Sequence, residues 1–254
     1  MKFIWYKDGM NNWGDYLAPV LTKYLMGSEG DFVKYDDQSN DDRYITIGSL
    51  MEHISNPNTI VWGTGFMWEN GKVPVIPKKI HAVRGPLSRN NLIKQGISCP
   101  EVYGDPALLF PRYYNPNVEK KYKLGIIPHY VDANNKWITN INDPDIKIIN
   151  ICSDTYKFVD ELKQCESILS STLHGMIASD AYNIPCMWIK LSDNVGGNGF
   201  KFRDYFASVN RSDINPYIIN EYKTKVDDVY KLIPNYKIDI DLDLLYNSCP
   251  FKIK

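Results

Sequence analysis

Residues Ser167–Ile189 read SILSSTLHGMIASDAYNIPCMWI, and this stretch decides the fold. Ser167–Leu169 and Cys186–Ile189 are short apolar runs of the kind that form strands buried on both faces of a sheet. Between them, an almost wholly apolar segment starts at Leu173 and predicts a buried helix. A strand, a helix and a second strand in this order predict a parallel βαβ unit.

The same alternation continues outward along the chain. Further apolar runs predict strands at Phe3–Tyr6, Tyr44–Ile47, Thr59–Trp62, Ile80–Val83, Lys123–Ile127 and Ile146–Ile151. Helical spacing of apolar residues, or a proline at the first helical position, predicts helices at Tyr16–Leu25, Pro86–Gln95, Phe158–Cys165, Glu221–Leu232 and Leu242–Tyr246. We therefore expect an α/β protein with parallel sheets.

A polar segment rich in proline and asparagine, Pro111–Lys123, is the best candidate for a boundary between domains. It divides the α/β pattern into halves of similar length, 1–113 and 114–254. The C-terminal tail could pack back on the first half.

Composition excludes several functional classes. The 254 residues include 29 Lys and Arg and 30 Asp and Glu, so the net charge is −1. A nucleic-acid binder usually has a strong basic excess, although a local cationic pocket stays open. No apolar run approaches the ~18 residues of a membrane span, and no signal-peptide core follows Met1. We expect a cytoplasmic protein, with peripheral contact at the inner face of the membrane left open.

Cysteines and histidines give no sign of a metal site. The five cysteines are widely spaced, contain no Cys-x-x-Cys pair and are odd in number, which favours free thiols over a disulfide framework. The four histidines are scattered along the chain. We expect no metal and no cofactor.

The start of the helix after Leu169 is the strongest candidate site. Ser170, Ser171 or Thr172 would cap this helix, whose free N–H groups would face the carboxyl edge of the sheet. Such a helix start binds anions readily. His174, in the first turn, could contact the anion or exchange a proton, or it could be an ordinary hydrogen-bonded helix residue.

Two further segments follow predicted strands in the first half. Asn12 and Asp15 belong to a glycine-bearing turn before the first helix, where Asp15 could cap the helix or bind a hydroxyl. Arg84 ends a strand, and Ser88 follows on the next helix. An arginine there could hold a carboxylate or phosphate through its planar fork, or it could equally form a surface ion pair.

Two other segments carry charged candidates. Gly196–Tyr205 reads as a glycine-rich loop that could fold over an anion and bring Lys201 and Arg203 to it, or as a mobile exposed loop. Asp105 lies in a turn-like sequence near the boundary, as a cap or an interdomain contact.

The ordered motifs of the chain resemble the polysaccharide pyruvyl transferase family, and most closely the bacterial exopolysaccharide ketal-pyruvyl transferases. They are NWGD (12–15), WGTG (62–65), VRGPLS (83–88), YGDPALL (103–109), STLHGMIASDAYNIP (171–185) and GFKFRDY (199–205). The resemblance implies two Rossmann-like domains facing a cleft, as in glycosyltransferase-B enzymes, with the acceptor on the N-terminal side and the donor on the C-terminal side. It also implies phosphoenolpyruvate as donor and a sugar diol, lipid-linked or not, as acceptor in cell-surface polysaccharide synthesis.

Roles carry over residue by residue. Arg84 matches a family arginine implicated in donor binding, and His174 matches the histidine of the family's Leu-His motif. Thr172 stands where eukaryotic members commonly have an arginine, so Lys201 or Arg203 could supply the missing cation. We expect His174 to move a proton or stabilise phosphate, with Asp15 or Asp105 as base. The expected substrate-binding residues are Asn12, Arg84, Ser88, Ser171, Thr172, Leu173, Lys201 and Arg203.

Two other functions stay open. A nucleotide-sugar-dependent glycosyltransferase could use the same scaffold, because a fold does not fix a function. The second open function is carbohydrate binding without catalysis. The sugar affinity of such a protein would change little on loss of His174 and Arg84.

Overall fold

The computed structural model describes residues 1–6, 9–34, 36–37 and 39–252, and within them ten strands form two parallel five-stranded sheets. The first sheet has the order β2-β1-β3-β4-β5. Its strands are β1 (Lys2–Ile4), β2 (Asp31–Phe32), β3 (Arg43–Ile45), β4 (Thr59–Trp62) and β5 (Lys79–Ala82). The fold is therefore α/β with parallel strands, as expected.

The second sheet has the order β10-β9-β8-β6-β7. Its strands are β6 (Tyr122–Ile127), β7 (Ile146–Ile148), β8 (Cys165–Ser170), β9 (Cys186–Lys190) and β10 (Tyr217–Ile218). In its centre, Leu169 of β8 pairs with Ile126 of β6 on one side and with Met187 of β9 on the other. This confirms the βαβ unit predicted from Ser167–Ile189.

Helices connect the strands. They are α1 (Trp13–Met26), α2 (Pro86–Lys94), α3 (Lys136–Thr139), α4 (Thr155–Lys163), α5 (Leu173–Ala181), α6 (Phe200–Ser208), α7 (Val226–Tyr230) and α8 (Leu242–Asn247). Short 3-10 helices occur at Met51–His53, Pro106–Arg112 and Tyr130–Asp132.

Local chemistry explains the two helices that border the site. The side chain of Asn12 accepts a hydrogen bond from Gly14 N and caps α1, and Gly27 ends this helix in the left-handed conformation with φ of 70°. In α5, every residue from Leu173 to Asp180 is buried. Its nearly continuous apolar sequence therefore reflects burial on all sides.

Some expectations about individual elements were wrong. Cys165 is the first residue of β8 and not the end of the preceding helix. The predicted Gly196–Tyr205 loop becomes helix α6 at Phe200, and the helix predicted over Glu221–Leu232 is only Val226–Tyr230. The two-residue edge strands β2 and β10 were not predicted.

Contacts between the two halves fix their arrangement. At the start of α1, Trp13 donates from its backbone N to Ile151 O and from its indole to Thr155 O. The C-terminal segment contacts the first sheet, because the indole of Trp62 donates to Leu245 O and Phe251 packs edge-on against that same indole. One apolar core cluster includes residues of both sheets.

The two sheets lie on either side of the predicted 113/114 boundary, and the division into domains stays a prediction. Within the described ranges, no helix combines the length and the apolar character that crossing a bilayer requires.

Candidate functional site

Segments that follow strands of both sheets meet around a cavity of about 410 Å³, the His174 cavity. The carboxyl ends of parallel strands lie at one edge of a sheet, which is where α/β proteins usually bind ligands. Among the expected site residues, this cavity is lined by Asn12, Asp15, Thr172, Leu173, His174 and Lys201. The residues predicted near strand ends therefore account for six of the sixteen that line this cavity.

The first turn of α5 forms one side of the cavity. Thr172 is the N-cap residue, but its side chain makes no capping hydrogen bond. Ser170 Oγ instead accepts from Thr172 N at 3.1 Å, and Ser171 Oγ accepts from His129 N at 2.8 Å. The expected hydroxyl cap is thus wrong, and the first-turn N–H groups, which have no intrahelical partner, are not capped by Thr172.

His174 is buried with one nitrogen satisfied and one not. Its Nδ1 lies 3.2 Å from Asn12 Oδ1, which also accepts from Gly14 N. Because that oxygen is an acceptor, the neutral ring must carry its proton on Nδ1. Nε2 then presents a lone pair and is buried without a hydrogen-bond partner among the described residues.

The electrostatic surroundings keep His174 neutral. Burial lowers its pKa to about 3, with smaller contributions from the charges of Lys201, Arg84 and His129. The main cause is loss of solvation.

Glycine at position 14 is required by the same contact. A Cβ there would lie 2.0 Å from Cγ of the His174 ring, which no side chain could tolerate. The motif Asn12–Asp15 therefore positions the His174 ring in two ways: Asn12 binds its Nδ1, and the absence of a side chain at Gly14 leaves space for the ring.

Lys201 supplies a cation to the cavity from α6. It is only 8% exposed, and burial together with the charge of Arg84 lowers its pKa to about 8, while Asp15 acts in the opposite direction. Arg203, on the same helix, does not reach this cavity. It lines a second one and donates to Asn198 O at 3.2 Å. The prediction that both cations close on one anion is not supported by this geometry.

The second cavity adjoins the first and has a volume of about 580 Å³. We call it the Trp188 cavity, after the indole in its wall. It shares Trp68 and Gly196 with the His174 cavity. Ser171 lines this second cavity rather than the first.

Arg84 is engaged within the protein. Its Nε donates to Asp204 Oδ2 at 3.0 Å, Nη1 to Ser49 Oγ at 2.6 Å and Nη2 to Phe66 O at 2.6 Å. Both Arg84 and Asp204 are fully buried. Of the two alternatives for Arg84, the surface ion pair is wrong, because the ion pair with Asp204 is buried and chain groups hold the guanidinium on several sides.

Ser88 belongs to the same cluster. Its Oγ donates to Asp204 Oδ2 at 2.6 Å, and its backbone N donates to Asp204 Oδ1. A Cβ at Gly85 would lie 1.9 Å from Asp204 O, so α2 and α6 meet without space for a side chain. Arg84 and Ser88 thus fix α6, which carries Lys201.

The two candidate bases differ in position. Asp15 is half-buried and lines the His174 cavity. Asp105 is fully buried and does not line it: its Oδ1 accepts from Ala107 N at 2.9 Å and caps the 3-10 helix Pro106–Arg112. Burial raises the pKa of Asp105 to about 6.

Nine residues of this cavity wall were neither expected site residues nor part of the predicted glycine-rich loop, among them Glu52, His53, Trp68 and His129. His129 follows β6 as His174 follows β8, so its position after a strand was a usable signal. No such signal marked Glu52, because it does not directly follow a strand; its carboxylate accepts hydrogen bonds from the backbone N–H groups of Met67 and Trp68. Within the described residues, no group of three His, Cys, Asp or Glu side chains could hold a metal ion.

Comparisons with known proteins agree with the motifs. The family model described as polysaccharide pyruvyl transferase matches residues 23–193. The chain is 28% identical over 204 residues to the uncharacterized protein L143 of Acanthamoeba polyphaga mimivirus, covering 77% of this chain and 70% of that protein.

A second relative is the succinoglycan biosynthesis protein ExoV of Rhizobium meliloti (strain 1021), 24% identical over 216 residues. The match covers 81% of this chain and 64% of ExoV, so the chain spans less than two thirds of that relative. No solved structure matches, and the glycosyltransferase-B-like arrangement stays a prediction.

Proposed function

Because this chain belongs to the polysaccharide pyruvyl transferase family, we propose that it moves the pyruvyl group of phosphoenolpyruvate onto two hydroxyls of a sugar during polysaccharide synthesis. The product would be a cyclic ketal. The observation that supports this proposal is the buried Nε2 of His174, which has no partner among the described residues and lies at the start of α5 in the same cavity as Lys201.

The His174 cavity suits a small anion with two charged ends. Phosphoenolpyruvate carries a carboxylate and a phosphate. Helix N–H groups and a buried cation are the groups that bind such anions. Lys201 has a pKa of about 8, so it is mostly charged at neutral pH and can pair with either end of the donor.

The reaction balances without a cofactor. The methylene carbon of the donor takes a proton, which makes C2 electrophilic. One sugar hydroxyl adds to C2 and gives up its proton. A second hydroxyl then displaces the phosphate and closes the ketal. Of the two hydroxyl protons, one balances the proton taken up by the methylene carbon and the other leaves with inorganic phosphate.

His174 is neutral in the free cavity, and its Nε2 can accept a hydrogen bond or a proton. A bound phosphate would raise its pKa through charge pairing. Nε2 would then donate to the departing phosphate. Asp15, in the same wall, is the candidate to take a proton from a sugar hydroxyl. Such proton transfers typically contribute 10²–10⁴-fold to the rate.

The test is incubation with phosphoenolpyruvate and a panel of lipid-linked and aryl glycosides. Mass spectrometry would detect the pyruvyl ketal, and a colorimetric assay would detect inorganic phosphate. His174→Ala protein serves as the matched control. Nucleotide release from a nucleotide sugar, with no ketal, would instead favour a glycosyltransferase. Sugar binding without either product would favour a non-catalytic protein.

A further inference from the structure

The proposed donor chemistry leaves the larger Trp188 cavity unused. This space, of about 580 Å³, adjoins the donor cavity through Trp68 and Gly196. A molecule bound there could extend a group past Trp68 into the His174 cavity. The reaction needs such a molecule, because the acceptor must bring two hydroxyls to the donor.

Trp68 places an exposed aromatic side chain at this junction. Its side chain is 52% exposed. Its backbone is nevertheless fixed, since Glu52 Oε1 accepts from both Met67 N and Trp68 N, at 3.0 and 3.1 Å. Gly71 N also donates back to Trp68 O at 3.1 Å. An exposed indole on this anchored backbone can receive the apolar face of a ligand.

Trp188, in the wall of the same cavity, is held by an aromatic neighbour. Trp188 stacks on Phe202, with ring centroids 4.2 Å apart and planes 9° from parallel. A Cβ at Gly197 would lie 2.5 Å from Met67 O, so the glycine segment packs directly against the chain that carries Trp68. Packing contacts therefore hold Trp188 and the glycine segment in the wall of this cavity.

Charge decides what kind of ligand fits. The lining contains two cations, Lys190 and Arg203. Lys190 is paired with Asp193, so Arg203 is the cation that we expect to contact a ligand. Three aromatic side chains lie in the lining beside hydroxyl, amide and charged groups, a combination that suits a sugar ring, with its apolar face and its hydroxyls, better than a second phosphorylated ligand. The C–H face of a sugar packs on the electron-rich face of an indole.

We propose that the Trp188 cavity binds a sugar ring of the acceptor glycan, stacked on Trp68 and hydrogen-bonded by Arg203. This inference rests on the proposed function, which makes a sugar the acceptor, but sugar binding can be measured without turnover. Trp68 touches both cavities, whereas Arg203 lines the Trp188 cavity and not the donor cavity. Substitution of Arg203 therefore separates acceptor binding from donor binding, and substitution of Trp68 tests the stacking contact.

The experiment uses saturation-transfer NMR with methyl glycosides of glucose, galactose and mannose and with β-linked glucose disaccharides, added to the full chain. Calorimetry measures phosphoenolpyruvate affinity in parallel. Trp68→Ala should weaken the bound glycoside about tenfold, the scale of a lost aromatic stack with its buried area. Arg203→Ala should weaken the glycoside and leave phosphoenolpyruvate affinity unchanged. Tyr222→Ala, a change at an 81% exposed aromatic outside either cavity, is the matched control.

Saturating phosphoenolpyruvate should not displace the glycoside. Displacement, unchanged glycoside affinity in both variants, or no saturation transfer to any glycoside would each overturn the inference. If the glycoside binds as expected while the wild-type protein binds no phosphoenolpyruvate, the proposed donor is wrong and the sugar site stands.

Discussion

Arg84 and His174 both follow a strand of a parallel sheet, and both belong to motifs that carry the family resemblance, yet the protein uses them differently. The guanidinium of Arg84 is held by Asp204, Ser49 and Phe66. The Nε2 atom of His174 is buried with no partner among the described residues. A buried polar atom without a partner costs free energy, so it is expected where a ligand supplies the missing contact.

The comparison separates residues that face the substrate from residues that position them. Lys201 belongs with His174, because it lines the same cavity. Ser88 belongs with Arg84, because both bind Asp204. Effects on activity should therefore decrease from His174 through Lys201 and Arg84 to Asp105.

His174→Ala should reduce turnover about 10²-fold or more, the usual scale for loss of a proton-transfer group. The fold should persist, since the substitution removes an unsatisfied buried nitrogen. Initial rates of phosphate release and a thermal unfolding curve measure the two effects. His174→Gln, which can donate a hydrogen bond but not a proton, refines the role. Near-normal turnover in the alanine variant would make His174 a structural helix residue.

Lys201 should make donor binding depend on pH. Its pKa is about 8 in the free cavity, and a bound anion would raise it. Affinity for phosphoenolpyruvate should therefore fall as pH rises through about 8, because the free lysine then loses the proton that the complex retains. Calorimetry from pH 6.5 to 9.5 measures this.

Lys201→Met should weaken binding about tenfold at pH 7, the scale of a charge-assisted hydrogen bond, and remove the dependence. Arg203→Met on the same helix is the matched control, and this variant should keep the pH dependence of phosphoenolpyruvate affinity. An unchanged pH profile in Lys201→Met would assign the dependence to another group.

Arg84→Ala should act mainly on stability. It leaves Asp204 as a buried charge without its cation, which typically costs about 3–5 kcal/mol. Arg84→Lys keeps the charge but cannot reproduce the planar set of contacts, so it should also destabilise. Urea unfolding measures both variants.

Donor affinity of folded Arg84→Lys protein should change only slightly, through the altered position of α6. A large loss of phosphoenolpyruvate affinity at unchanged stability would show that Arg84 contacts the donor directly. That outcome would remove the distinction between Arg84 and His174.

Local sequence predicted the elements whose apolar runs are buried. Thr59–Trp62 was predicted with its observed bounds, and Ile80–Val83 lies one residue from β5. The edge strands Asp31–Phe32 and Tyr217–Ile218 were missed because two residues, exposed or half-buried, carry no apolar run. Lys201 was read as part of a loop because glycines precede it, although the helix starts directly after Gly199.

The site was predictable as far as strand ends determine it. Asn12 and His174 each follow the carboxyl end of a parallel strand, which the sequence predicts, but the strands belong to different sheets, and the packing of the two halves brings the side chains together. The partner of Arg84 could not be foreseen, since Asp204 lies 120 residues away and nothing local marks it as buried. Long-range charge pairing is a property of packing, which sequence spacing alone does not express.

Asp105→Asn should have the smallest effect on activity, because this motif carboxylate does not line the His174 cavity. We expect turnover near the wild-type rate, because the side chain caps the 3-10 helix Pro106–Arg112 and an asparagine oxygen can do the same. Stability should change with pH instead. Burial raises the folded-state pKa to about 6 from an ordinary 3.8, so the protonated carboxyl contributes stability below about pH 3.8 that is lost as pH rises through about 6.

Asparagine does not titrate. The unfolding free energy of the wild-type protein relative to Asp105→Asn should therefore fall by up to roughly 3 kcal/mol between pH 4 and pH 7, at 1.36 kcal/mol for each pKa unit. Urea unfolding at several pH values measures this difference, and Asp243→Asn, at an exposed carboxylate, is the control. A loss of turnover at unchanged stability would instead return Asp105 to the list of candidate bases, because a purely structural carboxylate cannot produce it.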